Sequence, residues 1–517
     1  MKDLLATLGL RDVDRSTGDT VSANVDRDRF AATATAIVQQ HGLPLSLLYA
    51  TDDRSRNGGT FGVHAVFDAG HAGWLQLSTA LPAEDPRYPS LTRTVMAAHW
   101  YERSAMDMFG IVAEGHPDPR RLVLHQNFPE GTHPLRKDFA WNQRLPVANV
   151  PYPMHHVAGD GIYEIPVGPI HAGIIEPGHF RFNVAGERII TLEGKLFFTH
   201  KGVEKLIEGK SAMEALPFIE RVSGDCAASH ALAFCQAVES SAGCDIPVRA
   251  RELRTLLCEL ERMTMHIFDI GNIIGNGTGY SVLAAHGFRL REDLMRLSQK
   301  ICGNRFWRGM IVPGGCARDL EVEDLRAMQI TVGKAYTDIV RLLAMAMSSD
   351  AVRERLETTG ILRTDAALAY GAVGPAARAS GVDRDVRRDH PYASYAQCPL
   401  RVAAQTGGDV YARLLIRNDE LAASNMIIRH LLQSLSRGPV LAPCVPKDGT
   451  GLSAVESWRG ELITVVRMKN GVIDRCVIRD PSFCNWALFG EIGPGNIVPD
   501  FPLCNKSLNL SYSGTDL

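Results

Sequence analysis

The chain has 517 residues, enough for about two to four domains of ordinary size. Hydrophobic residues make up 45% and charged residues 22%, a balance that builds a buried core and excludes wholesale disorder. The net charge of −3 supplies no basic surface for nucleic acid, and we find no apolar run of about 18 residues that would span a bilayer.

The cysteines do not form a disulfide or metal-binding pattern. There are eleven, the first is Cys226, and no two have the C-x-x-C spacing. An odd count without regular spacing is typical of reduced thiols in a cytoplasmic protein. We therefore expect no zinc or iron–sulfur site formed by this chain alone.

The chain begins with a small mixed unit. A helix is predicted near residues 27–41, and strands are predicted at 46–50, 60–67 and 74–78. Helices mixed with strands indicate an α+β domain over 1–140. Residues 141–160 are rich in Pro, Asn and His and are predicted to be a linker.

The remainder, 161–517, is predicted to be mainly α-helical, with short β elements at its start and end. Leu253, Leu256, Leu260 and Met263 recur at steps of three and four residues, which predicts a long amphipathic helix. We predict a break at the glycine-rich stretch 271–279. Helices are predicted at 231–240, 249–270, 288–301, 321–347 and 419–435, and strands at 188–192, 462–468 and 472–478.

Three stretches of the N-terminal unit carry a family resemblance. They read HWYERSAMDMFGI at 99–111, HPDPRRL at 116–122 and GTHPLRKDF at 131–139. This closely resembles the smaller hydrophilic subunit of respiratory complex I, although Ser104 replaces a glutamate of that pattern. The resemblance implies a domain that supports assembly and carries no cofactor.

The remainder resembles the larger partner of that subunit. PVGPIHAGIIEPGHFRF at 166–182 looks like the entry motif of group 4 membrane-bound [NiFe]-hydrogenase large subunits, of the formate hydrogenlyase type. Further matches follow in the same order at 200–205, 220–221, 259–263, 374–381, 383–387, 391–392, 408–413, 456–461 and 479–483.

The resemblance implies two subunits fused in one chain, as in complex I of some bacteria. It implies a small iron–sulfur partner with a [4Fe–4S] cluster, membrane antiporter-like partners, and a cytoplasmic, peripheral position on the inner face of the cell membrane. NAD chemistry would belong to other subunits of the complex.

The family's nickel ligands are four cysteines, in R-x-C-G-x-C and D-P-C-x-x-C. In this chain those positions hold Ser223, Cys226, Ser482 and Asn485, while Cys484 is one residue out of register. Hydroxyl and amide groups do not replace soft anionic sulfur on nickel. We therefore expect no [NiFe] centre and no other metal site.

The quinone donors of complex I are also absent from their expected positions. The family's tyrosine aligns with Gly224, three residues after Arg221, and its histidine aligns near Pro177, two residues from His179. His230 follows Cys226 by four residues, so the two can share a helix face as a replacement pair. A simply satisfied buried histidine is the alternative interpretation.

Several charged residues complete the candidate site. Glu176 resembles a proton-relay carboxylate, and Asp480 resembles an aspartate kept at this place in both families. An ion pair of Glu176 with Arg181 or Arg221 is an equal alternative, and Asp480 is expected to pair with Arg221 or to take a proton. The predicted catalytic residues are Glu176, His179, Arg181, His230 and Asp480, and the predicted cofactor-binding residues are Arg221, Gly224 and Cys226.

Three functional hypotheses follow. The leading one is a coupling or electron-transfer subunit whose cavity serves a quinone-like carrier or proton coupling beside a partner's [4Fe–4S] cluster. The second is a structural coupling subunit without redox chemistry. The third, and weakest, is a hydrogenase with altered ligands.

Overall fold

The structure is a computed structural model that describes residues 5, 7–8, 10, 13–15, 19–56, 58–148, 150–170 and 176–517. The centre of the 166–182 motif, residues 171–175, lies outside the described part. The whole architecture is α+β, as predicted: a mixed sheet comes first, and a mainly helical region with strands at its start and end follows.

The N-terminal unit is built on a five-stranded sheet in the order β1-β2-β5-β4-β3. Strands β2 and β5 run parallel, and the other neighbours are antiparallel. Every residue of β3 is buried, because other parts of the chain pack against both faces of the strand. The elements are β1 Val13–Arg15, β2 Thr20–Asn24, α1 Arg27–Gln39, β3 Leu45–Asp52, β4 Thr60–Asp68, β5 Trp74–Pro82, β6 Arg87–Pro89, α2 His99–Phe109 and β7 Val112–Glu114.

Between β7 and the next strand the described residues form no helix or strand, so the division at 141–160 stays a prediction. A three-stranded sheet then precedes two short helices and the long helices of the core. The elements up to residue 356 are β8 Ile162–Val167, β9 His179–Ala185, β10 Arg188–Lys195, α3 Val203–Leu206, α4 Ala212–Ile219, α5 Ala227–Ala242, α6 Val248–Gly275, α7 Ser281–Cys302, β11 Ile311–Val312, β12 Gly315–Cys316, α8 Val322–Met347 and α9 Asp350–Leu356.

The last third returns to a sheet. Strands β13–β15 form an antiparallel meander that packs on α5, and short helices complete the chain. The elements are α10 Thr364–Ala369, α11 Gly374–Ala379, α12 Val386–Asp389, α13 Val410–Ser434, β13 Gly449–Ser457, β14 Gly460–Lys469, β15 Val472–Arg479, α14 Pro481–Asn485, α15 Phe489–Ile492, α16 Phe501–Leu508 and α17 Tyr512–Asp516.

The predicted break at 271–279 is wrong in its first half, because α6 continues to Gly275. Gly271 lies against Gly287 of α7, where an added Cβ would come within 3.2 Å of backbone. A Cβ on Gly275 would meet Ala284 at 2.3 Å. These glycines allow two helices to approach closely, and only the residues after Gly275 form the connection.

No helix in the described part of the chain is both long and apolar enough to cross a bilayer.

Candidate functional site

The four positions that align with nickel ligands lie in two segments. Ser223 lies between α4 and α5, and Cys226 is the N-cap of α5. Ser482 and Asn485 lie in α14, whose N-cap is Asp480. All four side chains are buried, with at most 1% of their surface exposed.

Ser511, just before α17, joins the two segments. Its hydroxyl lies 2.9 Å from the Ser223 hydroxyl, and its backbone N–H donates to Ser482 Oγ at 2.9 Å. The N–H of Gly514 donates to the same Ser511 hydroxyl at 2.9 Å. Both serines are therefore engaged by the C-terminal segment, which packs directly on the aligned positions.

Asn485 and Cys484 point to other partners. The Asn485 amide exchanges two hydrogen bonds with the backbone of Val373, at 3.0 and 3.1 Å. The Cys484 sulfur lies 3.2 Å from the hydroxyl of Tyr101 in the N-terminal unit. Neither side chain joins Cys226.

A buried His–Asp pair lies beside these positions. His230 Nε2 donates to Asp480 Oδ2 at 3.0 Å, and Asp480 Oδ1 accepts the N–H of Ser482 at 2.8 Å. Burial alone would raise the pKa of Asp480, but the hydrogen bond from His230 and the nearby Arg459 hold that pKa below its usual value. Asp480 is therefore an ionised acceptor, paired with His230 rather than with Arg221.

Arg459 is a second fixed charge of the site, beside the ionised Asp480. From the sequence it is identified only within the family match at 456–461. Its two terminal nitrogens bind both carboxylate oxygens of Asp225 at 2.8 and 2.9 Å. Its Nε donates to the carbonyl of Asn509 at 2.6 Å, and its guanidinium lies 3.8 Å from the ring centre of Trp458. Burial opposes ionisation of Asp225, yet Arg459 keeps the pKa of that carboxyl below its usual value.

Cys226 lies in an apolar pocket with Met265 and Trp458. Burial raises the pKa of its thiol well above the ordinary value, and the carboxylates of Glu261 and Asp480 raise it further. In the chain without a metal this group is therefore a neutral thiol.

Glu261 of α6 was not among the predicted site residues. Its carboxylate accepts the N–H groups of Ala228 and Ser229 at 2.7 and 3.1 Å and the Ser229 hydroxyl at 2.6 Å, at the first turn of α5. Burial nevertheless raises its pKa to about 7. The site thus contains two buried carboxyl groups, Asp480 and Glu261, with pKa values displaced in opposite directions.

The other predicted residues have different partners. Glu176 accepts the N–H of Ser513 at 2.6 Å, so it reaches the C-terminal segment but pairs with neither arginine. Arg181 of β9 binds Glu164 of the neighbouring strand β8. Arg221 is exposed and donates to the carbonyl of Pro217 in the preceding helix α4, at 2.6 Å.

Two predicted positions lie at the edge of the site. His179 begins β9 and is half-buried, and burial lowers its pKa. Gly224 is exposed, and its carbonyl accepts from Arg308 at 3.2 Å. The structure therefore brings together Ser223, Cys226, His230, Asp480 and Ser482, and it leaves Glu176, His179, Arg181, Arg221 and Gly224 around them.

The donor set does not fit a [NiFe] centre. One thiol, two hydrogen-bonded hydroxyls and one amide occupy the aligned positions, whereas the centre requires four sulfur ligands. Within the described residues there is also no cluster of three or more His, Cys, Asp or Glu side chains arranged to hold a metal ion.

Comparison with known proteins identifies the family. Residues 23–145 match the 30 kDa subunit of respiratory-chain NADH dehydrogenase, and 277–447 match its 49 kDa subunit. Residues 201–270 match nickel-dependent hydrogenase. The chain is 34% identical to formate hydrogenlyase subunit 5 of Escherichia coli over 91% of its own length and 84% of that protein.

The chain belongs to the family of hydrophilic subunits shared by formate hydrogenlyase and complex I. It is also 32% identical to hydrogenase-4 component G of Escherichia coli, over 98% of the chain and 89% of the relative. The NADH-quinone oxidoreductase C/D fusion of Bacteroides fragilis is 28% identical over 73% of the chain and 75% of the relative. Both resemblances seen in the sequence are confirmed, including the fusion.

Proposed function

We propose that this chain is a hydrophilic coupling subunit of a membrane-associated oxidoreductase complex and that it works without a [NiFe] centre. Its relatives are named as parts of formate hydrogenlyase, hydrogenase-4 and NADH-quinone oxidoreductase. We place it on the cytoplasmic face of the cell membrane, between a small subunit that holds a [4Fe–4S] cluster and antiporter-like membrane subunits.

The observation that carries this proposal is the contact of Ser511 with both Ser223 and Ser482. It ties the two hydroxyls at aligned ligand positions into protein hydrogen bonds 2.9 Å long. A polar link of this kind stabilises the folded chain without metal. The fold of the hydrogenase subunit is retained, and hydrogen-bonded side chains occupy the positions of its nickel ligands.

The chemistry that remains is proton transfer. Asp480 is held ionised by His230, and Glu261 has a pKa of about 7, so this carboxyl exchanges its proton near neutral pH. Both groups lie beside Cys226 at the start of α5. We propose that proton uptake at Glu261 and the charge on the His230–Asp480 pair link this chain to electron transfer at the partner's cluster.

A quinone-like carrier has less support from the side chains present. Gly224, which stands at the family's tyrosine position, offers no side-chain donor. His179 lies two residues from the family's histidine position and begins strand β9, whereas His230 of the buried pair lies in helix α5 and Asp480 caps helix α14. The leading hypothesis offers a quinone-like carrier or proton coupling, and the geometry therefore favours proton coupling.

The test is made on the complete complex purified with this chain. Glu261→Gln and His230→Asn should slow coupled turnover at least about tenfold, as expected for loss of a general acid or base. His266→Asn is the matched control, because His266 is another buried histidine bonded to a carboxylate, Glu420, at 2.8 Å. An equal loss in the control would assign the effect to folding and refute the proton role.

The second candidate function is a structural coupling subunit without redox or proton chemistry. The mutual hydrogen bonds of Ser223, Ser511 and Ser482 favour it, because they leave this part of the site closed. Glu176→Gln, Cys226→Ser and His230→Asn distinguish the two functions. Full activity of a complex that assembles with all three changes would show that the chain is a scaffold.

A hydrogenase with altered ligands has its own assay, which is the reduction of a dye by H2. Cys226 is the one thiol at the four aligned positions, and the hydroxyls of Ser223 and Ser482 are hydrogen-bonded to Ser511, which argues against this activity. We expect no H2-dependent dye reduction by the purified complex.

A further inference from the structure

The N-terminal sheet faces the sheet β13–β15 across a cavity of about 170 Å³. Sheets that pack face to face usually fill the space between them with interlocking apolar side chains. Here the wall formed by the N-terminal sheet is polar throughout, with side chains two residues apart on the same strand face. Its residues are Thr20, Ser22, Tyr49, Thr51, His64 and Gln76.

The opposite wall carries two arginines, Arg467 of β14 and Arg475 of β15. Arg467 binds Asp53 and Asp474, each at 2.6 Å, and Arg475 binds Glu204 at 2.9 Å. None of these three carboxylates is among the residues that line the cavity. Among the described residues, the charges that border the space directly are therefore the two guanidinium groups.

Each guanidinium has one buried nitrogen that forms no hydrogen bond with the described residues. Arg467 Nη2 and Arg475 Nε are buried and have no hydrogen-bond partner within the described part of the chain. The Arg475 side chain is only 5% exposed. A buried charged donor without an acceptor is costly. Both arginine side chains also line the cavity, so an anion that accepts hydrogen bonds from both would be bound favourably.

His64 does not supply a third positive charge. Thr51 donates to Asp53 at 2.6 Å, so His64 Nε2 donates to Thr51 Oγ1 at 3.1 Å, and His64 Nδ1 accepts from Ser78 at 2.8 Å. Burial, opposed by Asp53 and reinforced by the two arginines, lowers the pKa of His64 to about 4. The imidazole is neutral at physiological pH.

We propose that this cavity binds one small oxyanion of the sulfate or phosphate class between Arg467 and Arg475. Guanidinium groups match the oxygens of such anions in charge and geometry. The volume is below the roughly 300 Å³ at which pockets for drug-sized ligands begin, so a free inorganic anion fits better than a nucleotide. The anion joins the two sheets and thereby links the N-terminal unit to the rest of the chain.

The test is equilibrium dialysis of the full chain with radiolabelled sulfate at constant ionic strength. We expect saturable binding of about one sulfate per chain and at least about a tenfold loss of affinity in Arg475→Gln. Because that change also removes the partner of Glu204, Ser22→Val is the second variant: it replaces a hydroxyl of the cavity wall by a larger apolar side chain without altering an ion pair. Arg56→Gln is the control, since Arg56 lies 3.6 Å from Asp474 and does not line the cavity.

Loss of binding in both cavity variants and its retention in Arg56→Gln would support the site. Equal binding by Ser22→Val and the unaltered chain, or the lack of saturable binding to the folded chain, would overturn it. Inorganic phosphate should compete with sulfate, whereas AMP should not. Displacement of sulfate by AMP would overturn the assignment to a small free anion.

Discussion

Arg459 is the residue on which the candidate site depends most for its charge balance. It is buried, it binds both oxygens of Asp225, and it reaches Asn509 near the end of the chain. Arg459→Ala should lower the free energy of unfolding by about 2–3 kcal/mol, because the half-buried Asp225 loses its charged partner and keeps the hydrogen bond from the Ser223 hydroxyl. Denaturant unfolding measures this loss.

The control for that measurement is Arg353→Ala, which removes an exposed ion pair with Glu357. It should cost less than about 1 kcal/mol. Arg459→Lys keeps the charge but loses the bidentate contact with Asp225. Its loss of unfolding free energy should therefore lie between those of Arg459→Ala and Arg353→Ala. A loss at Arg459 no larger than that at Arg353 would contradict the described geometry.

The carboxyl of Glu261 makes the free energy of unfolding depend on pH, and the direction of its pKa shift sets the sign of that dependence. Burial raises the pKa of this carboxyl to about 7 from 4.5. Between these values the folded chain holds a proton that the unfolded chain has lost. The free energy of unfolding should therefore fall by about 3 kcal/mol as the pH rises through that interval.

Glu261→Gln should remove this contribution to the slope, as measured by urea unfolding at pH values on either side of the interval. It also weakens the hydrogen bond to the N–H of Ala228, so the variant should be less stable than the unaltered chain at the lower pH. Glu357→Gln, at an exposed pair, should leave the slope unchanged. An unchanged slope in Glu261→Gln would show that the carboxyl is ionised throughout.

At the residue scale, spacing along the chain led to part of the site. The four-residue step from Cys226 to His230 and the aligned D-P motif at Asp480 are signals that lie within one element. Arg459 contacts Asp225, which is 234 residues away, and Ser511 contacts Ser223, which is 288 residues away. Such pairs depend on tertiary packing, which neither spacing nor periodicity reveals.

At the element scale, the long helices were predictable because their apolar residues recur with helical spacing. The predicted helices 249–270 and 321–347 correspond to α6 and α8, with ends shifted by a few residues. The break expected from Gly271 was wrong, since the local preference of glycine for a turn is overridden by close packing on α7.

Gly275→Ala tests that explanation. Its Cβ would lie 2.3 Å from the Ala284 Cβ, so the helices must separate, and we expect a loss of about 1–3 kcal/mol of unfolding free energy. Gly333→Ala is the matched control, because Gly333 lies inside α8 and no atom of a described residue lies within 4 Å of an added Cβ. Gly333→Ala should raise the free energy of unfolding by about 0.5–1 kcal/mol. An increase for both variants would contradict the close approach of α6 and α7 at Gly275.

At the scale of the whole molecule, charged contacts tie the N-terminal unit to the remainder. Asp68 of β4 accepts from Arg384 and His390, both at 2.7 Å, and the His390 ring stacks on Trp74. Lys137 binds Glu208 at 3.0 Å. We therefore expect a single cooperative transition when the chain is unfolded in a calorimeter.

Asp68→Ala should lower the midpoint temperature of that single transition. The change removes the carboxylate shared by Arg384 and His390, whereas Arg384 keeps Glu461 at 3.4 Å and Lys137 keeps Glu208, so the two units stay joined. Asp28→Ala removes an exposed carboxylate and should leave the midpoint unchanged. Two transitions in the unaltered chain would show that the two units are not coupled.

The central claim is that the hydrogenase scaffold is retained while the ability to hold a nickel–iron centre is lost. Metal analysis of the complex purified from cells grown with ample nickel tests it most directly. The account predicts nickel far below one atom per chain, together with iron only in the amount that partner clusters explain. About one nickel per chain, lost on Cys226→Ser, would contradict it.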